Sequence, residues 1–216
     1  MKRAYRLVGD QYWMFVGVTL VGTIVASAVP FGLVAGAMAV GICLCYIQRE
    51  RGGQVEFHTL FRGFDFFMES LIAFLVYFIA SILVMIPFMI AIFVMVIGPM
   101  IAAAGNAGNA PLALPAGTLK AILVLYPLMI FAHVLVALPF FFTFQLIADR
   151  NLRALGAVRT SARGVAKNLG GVIWFVIVTG AITSIASMMC FLPVIPLLPI
   201  LFGAIFLLYR DIFGDA

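Results

Sequence analysis

Six long apolar stretches fill this chain, and reading them as membrane crossings places 12 of its 13 Lys and Arg residues on one side of the bilayer. Lipid offers no hydrogen bonds, so a crossing segment must satisfy its own backbone, and a helix of about 20 apolar residues does so. The expected fold is all-α: a polytopic transmembrane bundle in a single domain. The composition agrees, because 65% of the residues are hydrophobic and only 10% charged, against about 25% charged in soluble domains.

The stretches run from about Tyr12 to Val29, Phe31 to Ile47, Ser70 to Ala104 (with the crossing counted over about 70–98), Leu119 to Ile147, Leu169 to Met189, and Val194 to Tyr209. Pro30 breaks the first from the second, and Gly105-Asn106-Ala107-Gly108-Asn109-Ala110-Pro111 reads as a turn-rich loop on the outer side. The third stretch exceeds the hydrocarbon thickness, so tilting, kinking or an interfacial extension is expected. With the N-terminus in the cytoplasm, Lys120 alone of the basic residues falls outside, while all eight acidic residues fall inside. Retention of Lys and Arg in cytoplasmic loops then favours six crossings with both termini cytoplasmic.

A cleavable leader competes for the first stretch, because Lys2, Arg3 and Arg6 precede it and Ala26-Ser27-Ala28 resembles a cleavage site. Its likeness to the stretch after Asn168 favours an uncleaved helix. Trp13-Met14-Phe15, Pro30 and Tyr46 are echoed by Trp174-Phe175, Pro193 and Tyr209, an internal repeat of one hairpin. Three units are expected, each an in-plane cytoplasmic helix followed by a hairpin.

In the clearest in-plane segment, Phe57, Leu60, Phe61, Phe64, Phe67 and Met68 share one face, with His58, Arg62, Asp65 and Glu69 opposite. Before the fifth stretch, Leu155, Val158, Ala162, Val165 and Leu169 share a face, and Arg159, Arg163 and Lys167 follow at i, i+4, i+8. Such helices suit a membrane interface. Arg62, Arg153, Arg159, Arg163 and Lys167 are therefore the candidate contacts to anionic headgroups or a protein partner, although flanking charge that sets topology is an adequate explanation of them. The net charge of +5 does not indicate nucleic acid, because the basic residues border apolar runs.

His133 is the one clear ionisable residue inside a stretch, read either as a proton-path residue or as an interhelical hydrogen-bonding group. No acidic or basic partner accompanies it, which favours the second. Gly32 and Gly36 form G-x-x-x-G, a close-packing face for the first helix of the same hairpin or for a second copy. The Phe140-Phe141-Phe142 cluster with Phe144 reads as an interfacial anchor or a lipid-facing groove. Asp65, Glu69, Asp149 and Asp211 lie near arginines and read as surface ion pairs.

Cys43, Cys45 and Cys190 lack metal-ligand spacing, two histidines cannot build a metal cluster, and G-x-S-x-G, H-E-x-x-H and Walker A sequences are absent. No cofactor, metal or catalytic centre is expected. From Ala148 onward, Asp149-Arg150, Ala154, Ala157, Ser161, Lys167-Asn168-Leu169, Pro193 and Tyr209-Arg210 follow in an order that resembles uncharacterised bacterial six-span inner-membrane proteins. It is also similar to the membrane domain fused to some glycerophosphodiester phosphodiesterases, with a looser echo at Leu60-Phe61-Arg62-Gly63-Phe64. Cys190-Phe191-Leu192-Pro193 stands where that group has a Gly-rich turn, and no phosphodiesterase domain is present, so the resemblance implies location rather than activity. A non-catalytic protein of membrane organisation or complex assembly is expected, with a small permease or lipid carrier working through the third and fourth stretches as the alternative.

Overall fold

A computed structural model describes residues 2–101, 117–188 and 194–214, which are helical almost throughout, with no strand among them. The outer loop around Gly105 to Pro111, Cys190 and Pro193 lie outside the described residues. The helices are α1 (Lys2–Val8), α2 (Tyr12–Ala28), α3 (Ala35–Glu50), α4 (Phe57–Phe61), α5 (Phe67–Ile92), α6 (Thr118–Ala137), α7 (Thr143–Arg150), α8 (Ala154–Lys167), α9 (Leu169–Met188) and α10 (Val194–Phe213). Two compact units result: Met1–Leu75 with Pro139–Ala216, and Val76–Leu138.

Five helical stretches are long and apolar enough to cross a membrane: Arg3–Ala28, Phe57–Ile101, Thr118–Arg150, Leu169–Met188 and Val194–Phe213. Six were expected. The second expected crossing is α3, which has 16 residues and therefore spans only about 24 Å. Instead of facing outward it is the centre of the first unit, with Met38, Val40, Cys45 and Tyr46 at most 1% exposed, packed by α2, α4, α7 and α10.

Glycine makes that centre possible. At Gly41 a Cβ would collide with the Leu60 carbonyl, and at Gly63 one would collide with the Ala37 carbonyl and the Gly41 backbone. Facing glycines therefore let the α4 segment lie backbone to backbone on α3. That segment is not the single amphipathic helix expected from its sequence. It is α4 followed by a 3-10 stretch, Arg62–Phe66, with Thr59, Leu60 and Gly63 turned inward while Phe57, Phe61, Phe64 and Met68 stay exposed.

A ladder of rings extends the same core. Phe15 meets Tyr46 at 4.7 Å, Tyr46 meets Phe206 at 5.8 Å, and Tyr209 meets Phe213 at 5.2 Å. Phe142, fully buried, packs on Phe213 at 5.6 Å. This residue of the expected anchoring cluster is thus core, because the chain breaks at Leu138–Phe140 and turns it inward. The hydroxyls of Tyr12 and Tyr46 donate to the Pro196 and Pro199 carbonyls, each at 2.6 Å, tying α2 and α3 to the proline-bearing half of α10.

α2 and α9 share one further local feature. Thr19 and Thr23 back-bond to Phe15 and Thr19 in α2, and Thr179 and Thr183 back-bond to Phe175 and Thr179 in α9. Both helices thus carry a hydroxyl on the same face at successive turns. Trp13 and Trp174, near their starts, are 79% and 69% exposed.

In the second unit α5 passes through Pro87 into a π-helical turn, Phe93–Ile97. Pro99 explains the turn: it has no N–H for the Met95 carbonyl and its ring crowds that oxygen, so the preceding turn widens. In the long apolar windows of α5 and of α6 with α7 few side chains are fully buried, the rest being half-buried or exposed.

Candidate functional site

The charged ends of four elements in the first unit converge. Arg3 pairs with Asp211 at 3.3 Å, Arg49 pairs with Asp10, Arg210 pairs with Glu50 at 2.7 Å and with Asp149 at 2.9 Å, and Arg150 donates to the Phe213 carbonyl at 2.6 Å. α1, the end of α3, the end of α7 and the end of α10 are joined in this way. Sequence reading expected only surface pairs, and Arg3 with Asp211 is one. Arg210 is different, since its side chain is 8% exposed and that of Asp149 is 0% exposed. The guanidinium also lies 5.1 Å from the Phe206 ring and 5.6 Å from the Tyr209 ring, while the Tyr209 hydroxyl donates to Asp149 at 2.7 Å. Burial in a shell of rings and two carboxylates makes this a structural lock. Asp149, read from the sequence as a surface acid, is buried here.

The α8 helix presents a basic stripe outward. Its inner face is Ala154, Ala157, Ser161, Gly164 and Val165; of the expected face Leu155, Val158, Ala162, Val165 and Leu169, only Val165 is buried. Small residues win because they admit large neighbours: a Cβ on Gly164 would strike the Phe213 ring, and Ser161 Oγ accepts the Phe142 backbone N–H at 3.1 Å. Glu69, from the start of α5, accepts the Ala154 N–H at 2.7 Å and so caps α8. The rotation leaves Leu155, Arg159, Arg163 and Lys167 on one exposed stripe, with Arg153 exposed at the helix start. None of these cations, nor exposed Arg62, has a carboxylate within ion-pair distance among the described residues.

His133 sits in the second unit, on α6. Its Nε2 lies 3.1 Å from the Tyr77 hydroxyl and its Nδ1 3.2 Å from the Ser81 hydroxyl, two groups one turn apart on α5. In either neutral tautomer one ring nitrogen donates and the other accepts, so both hydroxyls are used. The arrangement clamps α5 to α6. His133→Ala is expected to lower stability by about 1–2 kcal/mol, and Tyr77→Phe by about 0.6 kcal/mol, as intramembrane hydrogen bonds usually do; thermal unfolding in detergent measures both.

Gly32 and Gly36 pack against α5 rather than α2. Gly32 lies in the turn Pro30–Gly32 with φ of 65°, where a Cβ would stand 2.8 Å from the Phe74 ring, and a Cβ on Gly36 would stand 2.7 Å from the Ser70 carbonyl. This close approach is made within the chain. Cys43 and Cys45 are free and buried, and no metal-holding group of His, Cys, Asp or Glu occurs among the described residues.

Comparison with protein-family models, curated protein sequences and solved structures gives no match. The geometry alone carries the functional reading.

Proposed function

We propose that this is a non-catalytic integral membrane protein of membrane organisation or complex assembly, which engages anionic headgroups through its basic helix surface. The observation that carries this is the outward stripe of α8. Arg159, Arg163 and Lys167 stand exposed without carboxylates, while the opposite face is fixed against the first unit. A cation near an anionic membrane surface gains about 1 kcal/mol, so three aligned on a rigid helix gain about 3 kcal/mol.

The proposed topology keeps six passes, with α3 as a short inner pass and both termini on the cytoplasmic face. Support comes from the ion pairs, which hold residues 3, 10, 49, 50, 149, 210 and 211 at one end of the first unit. An odd number of passes would separate Arg3 from Asp211. Exposed Trp13 and Trp174 fit interfacial anchors, and the resemblance of the last 70 or so residues supports a bacterial inner membrane. The carrier alternative gains nothing from His133, whose two ring nitrogens are already engaged.

The test is lipid retention in nanodiscs mixing phosphatidylglycerol with phosphatidylcholine. Neutralising Arg159, Arg163 and Lys167 to Gln together is expected to abolish enrichment of the anionic lipid around α8, and added salt to weaken it in the unaltered protein. Unchanged enrichment, or substrate flux in liposomes that His133→Ala abolishes, would overturn the proposal.

A further inference from the structure

Leu44, Ile47, Gln48 and Arg51 follow i, i+3, i+4, i+7 along the last turns of α3 and so share one face. The chain turns back at Gly52, whose φ of 80° suits glycine, and α4 with the 3-10 stretch after it brings Thr59 and Arg62 alongside. Leu44, Ile47, Gln48, Arg51, Thr59 and Arg62 line a pocket of about 310 Å³. Leu44 and Ile47 give it an apolar wall, and Arg51 and Arg62 are its two cationic residues.

Its neutral polar groups are already used. The Gln48 carboxamide donates to the Gln54 carbonyl at 2.6 Å and accepts the Thr59 hydroxyl at 2.8 Å, and the Gly53 N–H donates to the Gln48 carbonyl at 3.0 Å. The two guanidiniums are what remain. Glu50 holds Arg210, Glu56 holds His58, and Asp65 makes no ion pair, so among the described residues neither Arg51 nor Arg62 has a carboxylate within reach. Arg49, the near neighbour, shows the contrast through its pair with Asp10. Two like charges facing one concavity, each with five N–H donors and no acceptor, are matched by an anion with several oxygens.

We propose that this pocket binds the phosphate ester of an anionic membrane lipid, held between Arg51 and Arg62, with its glycerol and first methylenes against Leu44 and Ile47. A lipid is favoured over free phosphate by the apolar lining of Leu44 and Ile47 and by Phe57 and Phe61, both exposed on the returning segment. The site shares the membrane placement of the preceding proposal but does not depend on α8.

Full-length protein in detergent is titrated separately with phosphatidylglycerol, phosphatidylcholine and inorganic phosphate, reading retained lipid by native mass spectrometry and melting temperature alongside. Phosphatidylglycerol is expected to be retained and to raise the melting temperature, with phosphatidylcholine doing neither. Arg51→Gln and Arg62→Gln each weaken phosphatidylglycerol binding about fivefold, and about thirtyfold together. Arg62→Lys recovers part of the loss through its point charge. Both side chains are exposed, so lipid-free melting temperatures stay unchanged. The α8 triple variant keeps this binding, which separates failure of the pocket from failure of the stripe. Equal retention of the two lipids, indifference to the double variant, or an equal thermal shift from inorganic phosphate would overturn the proposal.

Discussion

Replacing Arg210 with alanine is expected to destabilise the protein by about 3–5 kcal/mol, because it strips the counter-charge from a carboxylate that water cannot reach. Asp149 has a side chain 0% exposed, and its Oδ1 has no hydrogen-bond partner among the described residues. Without the guanidinium, the Tyr209 hydroxyl alone among the described residues stays within hydrogen-bond distance. Arg210→Lys restores charge but not geometry, since one ammonium cannot reproduce the fork that meets Glu50 and Asp149 together. It should recover less than half the loss. Asp149→Asn keeps an acceptor oxygen for Tyr209 and leaves Arg210 with Glu50, so a smaller loss of about 1–2 kcal/mol is expected. Equilibrium unfolding in mixed micelles orders the three variants. An Arg210→Ala protein as stable as the parent would show the cluster to be incidental.

The second large effect lies at the glycine contact. Gly41→Ala and Gly63→Ala each place a methyl group where a backbone carbonyl already stands, so α3 and the α4 segment must move apart. Overpacking of this kind costs about 1–3 kcal/mol, and here the obstruction is main chain that no rotamer change relieves. Because both substitutions open one contact, the double variant is expected to lose less than the sum of the singles. Gly156, inside α8 with nothing within 4 Å of its added Cβ, is the control. Alanine there is expected to be neutral or to stabilise by up to about 1 kcal/mol. Thermal unfolding of the four variants separates steric conflict from a general effect of helical glycine. Equal behaviour at Gly41 and Gly156 would remove the close approach as its cause.

Much of the helical architecture is legible in the sequence because its causes are local. Long apolar runs and proline breaks set the helices, and five of the six expected crossings correspond to helical stretches of sufficient length. What escapes is tertiary. For α3, an apolar run reads the same whether lipid or protein surrounds it; only the Gly32 and Gly36 spacing hinted at close neighbours. In α8 the large residues drew attention, yet Ala157, Ser161 and Gly164 face inward, since smallness governs which side can approach the Phe142 and Phe213 rings. The partners of His133 were within reach, because Tyr77 and Ser81 stand one turn apart in the preceding apolar run. The Arg210 cluster was not, because Glu50 lies 160 residues away and nothing in local spacing links them.

That separation has a consequence for how the protein is made. Glu50 and Asp149 leave the ribosome long before Arg210, and Arg3 waits for Asp211 across 208 positions. Until α10 emerges, the nascent core carries acids awaiting their cation, so it cannot close before that helix is made. A chain that stops short of Arg210 is left with a half-built interior, the sort of defect that surveillance proteases in a membrane recognise and clear.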